Sequence, residues 1–163
     1  MLLLVGGASD AWSQPVIGSL ASPVVPACIS SPFGPRALPG PHAAAFHTGI
    51  DLPAPAGAWV RAAADGKVLQ IRHLGADGLE VDLLHEAPGA HPFVTRYAHL
   101  GTVAPRLADG HRKVARGEVL GRIGRSGITY GTHLHFEVRV AGLPIDPETF
   151  VAIVRCKPGS ERR

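Results

Sequence analysis

The sequence predicts an all-β fold, a compact antiparallel β-sheet or sandwich domain, and three observations lead to it. Twenty Gly and fifteen Pro are scattered through 163 residues without a repeat, which favours short strands and tight turns over helices. Asp65-Gly66 lies between short apolar runs, where a hairpin turn is expected, and a second Asp-Gly pair, Asp77-Gly78, precedes another such run. From Thr132 to Val140 polar and apolar residues alternate strictly, the period of a strand with one buried face. The length leaves room for one domain with its own core, and 45% apolar with 18% charged residues is an ordinary globular balance.

Along the chain, Met1 to Ala8 is a short apolar run followed by small residues, with Ser9-Asp10-Ala11 a candidate cleavage site and no basic segment ahead of it. It reads either as the remnant of a signal peptide or as a tail. A bilayer span needs about 20 apolar residues, so no membrane span is expected here. Residues 12–30 show no sustained period and read as an extended lead-in. Val60 to Leu69 reads as two strands around a hairpin turn at Asp65-Gly66. Leu79, Val81 and Leu83 alternate with Glu80 and Asp82, the pattern of a half-buried strand. Between Val114 and Gly124 glycine recurs too often for a helix, at about 1 kcal/mol each relative to Ala, so short strands and bends fit better. Only Glu148 to Val154 has the makings of a helical turn or two.

The net charge of +3 is dispersed, and no basic run with interleaved aromatics marks a nucleic-acid groove. The excess reads as a solvated surface, and a negatively charged cell wall is a compatible partner. Cys28 and Cys156 are the two cysteines. In an exported chain an even pair is a candidate disulfide, here closing nearly the whole domain; the alternative is two separate buried thiols.

The chemistry sits on the alternating strand. Leu134, Phe136, Val138 and Val140 are expected to face the core, with His133, His135, Glu137 and Arg139 together on the other face. A second pair, His47 and Asp51, brackets Gly49 and the β-branched Thr48 and Ile50 ahead of Pro53 and Pro55, so an extended segment is expected rather than a helix. Neutral imidazole and carboxylate are the donors that catalytic zinc uses, and three protein ligands leave a fourth position open. Alone, a His-x-His and a His-x3-Asp are weak signals in a chain with nine histidines. His42, His73, His85, His91 and His111 read as surface or structural residues.

The order of these elements and the residues around them is more specific. Ser31-Pro32-Phe33-Gly34-Pro35-Arg36 is followed by His47-Thr48-Gly49-Ile50-Asp51-Leu52, Ala62-Ala63-Ala64-Asp65-Gly66-Lys67-Val68 and Arg96-Tyr97-Ala98-His99-Leu100. The Gly121 to Gly131 stretch, His133-Leu134-His135-Phe136-Glu137-Val138-Arg139 and Leu143-Pro144-Ile145-Asp146-Pro147 complete the series. Together they resemble the lysostaphin/LytM family of peptidoglycan endopeptidases, the M23 metallopeptidases, from about Ser31 to Phe150. Thr132 stands where many relatives have Pro, and Leu74 to Val94 departs from the common Gly-Tyr-Gly pattern, which bears on groove shape.

The resemblance implies a lysostaphin/LytM-type β-sheet domain over residues 31–155, between the 1–30 lead-in and a 156–163 tail, with a groove over the sheet. It implies one Zn²⁺ per chain held by His47, Asp51 and His135, with His99 and His133 as catalytic histidines beside it. No His-Glu-x-x-His helix is present, so histidine takes the role of base. Arg36 and Tyr97 are candidate substrate-binding residues, a positioning or structural role being the alternative for Arg36. Glu137 is either an acceptor that orients His135 or part of a surface salt bridge. The implied substrate is the stem or cross-bridge peptide of peptidoglycan, in the cell envelope, periplasmic or secreted. The alternative is a catalytically silent wall-binding or hydrolase-activating module, although all five positions are filled.

Overall fold

The computed structural model describes residues 17–37 and 44–157. The expected signal remnant and His42 lie outside the described residues. In chain order the strands are β1 (Gly34–Pro35), β2 (Phe46–His47), β3 (Ile50–Pro53), β4 (Trp59–Arg61), β5 (Gly66–Leu74) and β6 (Gly78–His85). They continue as β7 (Phe93–Val103), β8 (Lys113–Val114), β9 (Val119–Ile123), β10 (His133–Val140) and β11 (Leu143–Ile145). One helical turn, Pro105–Ala108, follows β7, and a 3₁₀ turn at Pro147–Thr149 is capped by the Asp146 side chain accepting from Glu148 N–H.

Strands β11, β10, β7, β6, β5 and β8 lie side by side in that order, β3 also pairs with β10, and β9 bridges β4 and β7. Every pairing between these strands is antiparallel. This is the predicted all-β sheet. The alternation read between His133 and Val140 holds: Leu134, Phe136 and Val138 are fully buried in the core with Ile50, Leu52, Val81, Leu83, Leu100 and Leu120. Each such side chain contributes roughly 1.5–3 kcal/mol of burial, which fixes the register of β10 between β3 and β7.

Two expectations are corrected. Asp65-Gly66 does not close a hairpin, because β4 pairs with β9 while β5 pairs with β6 and β8. The hairpin turn is the later one, joining β5 to β6 through Gly75, Ala76 and Asp77. Strand β6 is covered on both faces: Glu80 and Asp82 are as buried as Val81 and Leu83, because Arg72 and Arg96 lie over them.

The core also reaches N-terminal to Ser31. Leu20, Val24 and Ile29 pack into it, and Leu20 and Ile29 bridge to Val151 and Arg155. Cys28 and Cys156 form a disulfide with a Cα–Cα distance of 4.9 Å, which ties this lead-in to the end of the domain.

Candidate metal centre

Strand β10 carries His135 between two neighbours: Asp51 is its register partner on β3, and Ala98, next to His99, is its partner on β7. His47 ends β2, four residues before Asp51, and the extended turn at Thr48-Gly49 folds its ring back over the carboxylate. Gly49 is required there, since a Cβ would lie 2.3 Å from the Phe136 carbonyl oxygen.

Three donor atoms meet. His47 Nε2 lies 3.1 Å from Asp51 Oδ1 and 3.0 Å from His135 Nδ1, and His135 Nδ1 lies 3.0 Å from Asp51 Oδ1. Ligand distances of about 2.0–2.1 Å in a tetrahedral zinc site place neighbouring donors roughly 3.3 Å apart, close to this triangle.

The remaining ring nitrogens set the tautomers. His47 Nδ1–H donates to the Pro32 carbonyl oxygen at 2.8 Å and His135 Nε2–H to Glu137 Oε1 at 3.1 Å, so each ring turns a lone pair to the shared point. The electrostatics also favour a cation there. Burial disfavours charge on His135, but hydrogen bonds to Asp51 and Glu137 outweigh it and push its pKa up to about 9. Burial likewise raises the Asp51 pKa, and the hydrogen bonds and fields of the surrounding histidines overcome this and hold it well below the usual carboxylate range. The donor set therefore fits Zn²⁺.

His99 and His133 stand beside the triangle with ring centroids 4.8 Å apart. His133 Nδ1–H donates to the Gly131 carbonyl at 3.1 Å, and its Nε2 is 3.5 Å from Asp51 Oδ1. His99 Nδ1–H donates to the Ser126 carbonyl at 2.9 Å, leaving Nε2 as the acceptor atom. Burial, then the neighbouring His133, lowers the His99 pKa to about 4, and burial lowers that of His133. Both rings are neutral near pH 7 and able to take a proton.

His99 reaches this position by leaving the strand pattern. Its φ is +61°, a conformation costing a non-glycine residue about 1–3 kcal/mol, held by His99 N–H to the Asp77 carbonyl and Gly124 N–H to the His99 carbonyl, both at 3.0 Å. Tyr97, two residues earlier, keeps the pattern and points into the core.

Tyr97 is therefore not a substrate contact: it is fully buried, its hydroxyl accepts from Ala63 N–H at 2.9 Å, and burial pushes its pKa up to about 12. Arg36 lies at the metal centre, with Nη2 3.4 Å from Asp51 Oδ2 and 3.3 Å from Ser31 Oγ, the geometry of a positioning residue. His85 is structural, bonded to the Asp65 carbonyl and the Thr95 hydroxyl, both at 2.7 Å. The roles of the Pro32 and Ser126 carbonyls are not legible in the sequence. Pro32 stands within Ser31 to Arg36 and Ser126 within Gly121 to Gly131, but a backbone acceptor leaves no side-chain signal.

Glu137 serves as the acceptor for His135 and is only 2% exposed; it also receives the Thr48 hydroxyl and, at 3.0 Å, Arg139 Nη1. Glu137→Ala is expected to weaken zinc binding about 10- to 100-fold in a competition titration with a chromophoric chelator. An unchanged affinity would remove Glu137 from this role.

The family model described as Peptidase family M23 matches residues 45–147. The chain is 42% identical over 125 residues to the DD-carboxypeptidase/endopeptidase Mpg of Neisseria meningitidis, covering 77% of this chain and 27% of that protein. It is 36% identical over 119 residues to the Peptidoglycan DD-endopeptidase ShyA of Vibrio cholerae, covering 72% of this chain and 26% of ShyA. The chain thus spans about a quarter of the length of these curated relatives. Among solved structures, a zinc containing peptidase from Vibrio cholerae superposes with a TM-score of 0.61 at 32% identity, over 81% of this chain and 37% of that one. With the family match spanning most of the sheet and both halves of the metal centre, this chain belongs to peptidase family M23.

Proposed function

We propose that this chain is a zinc-dependent endopeptidase that hydrolyses peptide cross-links in bacterial peptidoglycan. One observation carries the reading: three lone-pair donors from His47, Asp51 and His135 converge on a point, with two neutral histidines beside it. Bound there, Zn²⁺ supplies Lewis acidity that polarises a carbonyl and makes water acidic enough to react near neutral pH.

The chain's own residues do the rest. Glu137 and Pro32 hold the ligand rings in the required tautomers, and Arg36 steadies Asp51. One of His99 and His133 accepts the proton from the attacking water at Nε2, and the imidazolium so formed hydrogen-bonds the developing oxyanion and returns the proton to the leaving amine. Ser126 and Gly131 fix the two rings with Nε2 available for that exchange.

The DD-endopeptidase names of the relatives support DD-peptide cross-links as the bond class, in preference to glycine bridges. A substrate in the wall, together with the disulfide, supports a periplasmic or secreted location. Purified protein incubated with isolated cell walls is expected to release cross-link-cleaved muropeptides, identified by mass spectrometry. Chelation should slow release about 1,000-fold or more, the rate equivalent of the several kcal/mol a Lewis-acidic ion contributes, and added zinc should restore it. Wall binding without cleavage, or cleavage indifferent to chelation, would overturn the reading.

A further inference from the structure

The face of the sheet that carries the metal centre continues well past it. On β10 the residues after His135 on that face are Glu137 and Arg139, and the register runs from Glu137 to Arg96 on β7, Asp82 on β6 and Gln70 on β5. Over this floor lies an open cleft of about 670 Å³, bordered by Gln70, Arg72, Arg96 and Arg139 with Asp82, Leu84 and Phe93 between them.

Its charges are layered. The carboxylates lie underneath, with Glu80, Asp82 and Glu137 side chains 3–4% exposed, and guanidiniums lie above them, Arg72 at 39%, Arg139 at 27% and Arg96 at 11%. Arg96 is committed to Asp82 by a two-pronged bond at 2.9 and 3.0 Å. Arg139 gives Nη1 to Glu137 and Nε to the Gly142 carbonyl, and Arg72 pairs with Glu80, so part of each five-donor fork remains for a ligand. A ligand entering the cleft meets the N–H donors of three guanidiniums and apolar walls, with Asp82, 3% exposed and already bonded by Arg96 and Gln70, at its floor. That surface suits a carboxylate, which guanidinium binds in a fork.

We propose that this cleft is a subsite for a free carboxylate on the peptide being cut, gripped by Arg72 and Arg139 while the scissile bond lies at the metal centre. The inference rests on the endopeptidase reading and adds a specificity element to it.

The test uses two defined cross-linked muropeptides, identical except that the dicarboxylic residue beside the cross-link is a free acid in one and an amide in the other. Amidation is expected to lower kcat/KM about 10- to 100-fold, mainly through KM. A double variant, Arg72→Lys with Arg139→Lys, keeps positive charge over the buried carboxylates but removes the forks. It is expected to lose most of the acid-over-amide preference at unchanged zinc content and melting temperature. A wild-type protein that treats acid and amide alike, or a variant as selective as the wild type, would overturn the subsite. Calorimetry of both peptides on the zinc-free protein separates the two readings. Selective binding of the acid without cleavage of either peptide keeps the subsite and sinks the endopeptidase, whereas equal cleavage of both does the reverse.

Discussion

His135→Ala is expected to leave the protein folded and without zinc. The wild type should hold about one zinc per chain, because three preorganised donors meet within 3.0–3.1 Å of one another. Loss of the central donor removes one of three protein ligands and releases Glu137 from the chain of contacts that aligned it. If each ligand carries roughly a third of the 10–16 kcal/mol typical of a structural zinc site, affinity falls about 300- to 8,000-fold. Cleavage of cell walls should drop to background with it. Metal analysis after dialysis, set beside muropeptide release, checks both. A variant that retained stoichiometric zinc would show that His135 is not a ligand, and the geometric case for the site would fail.

Replacing both Cys28 and Cys156 by Ser is the second large effect. The bond spans 128 residues of sequence, and the chain-entropy model credits a loop of that size with about 5 kcal/mol, an upper figure for real proteins. At a few degrees per kcal/mol, the melting temperature should fall by about 10 °C, and reductant should do the same to the wild type.

The loss has a local address as well. Ile29 bridges to Arg155 beside the disulfide, Ser30 N–H bonds the Asp51 carbonyl at 2.9 Å, and Asp51 N–H bonds the Ser31 carbonyl at 3.0 Å. The next residue is Pro32, whose carbonyl sets the His47 tautomer. The strap that the disulfide anchors is thus the backing of His47 and Asp51, two of the three proposed zinc ligands, and zinc affinity should weaken with it, by less than in His135→Ala. A melting temperature unchanged within about 2 °C would mean that the burial of Leu20, Val24 and Ile29 holds the strap unaided.

Local pattern was legible where a residue's environment follows from its neighbours. The alternation from His133 to Val140 gave a strand, its buried face and its polar face, because side chains on a strand alternate whatever lies beyond them. That His47 to Asp51 is not a helix followed from Gly49 and the β-branched residues around it, although the chain bends at Thr48-Gly49 instead of running straight. Asp65-Gly66 misled because a turn signal marks a reversal of chain without saying which strand comes alongside. Strand β6 misled because its acidic residues are neutralised by arginines from β5 and β7.

His99 shows the limit most clearly. By period it belongs with Tyr97 in the core, and only a positive φ, held by Asp77 and Gly124 from other parts of the chain, swings its ring to the metal side. The sequence by itself determined the ligand types, the strand that presents two histidines on one face, and, through ordered motifs, the family. The tertiary structure decided which donors meet and at what distance, since Asp51 and His135 are 84 residues apart and touch only through the register of β3 on β10. It also decided that Tyr97 is core and that the arginines lie over the carboxylates, because burial and charge compensation are settled by strands that come together from distant parts of the chain.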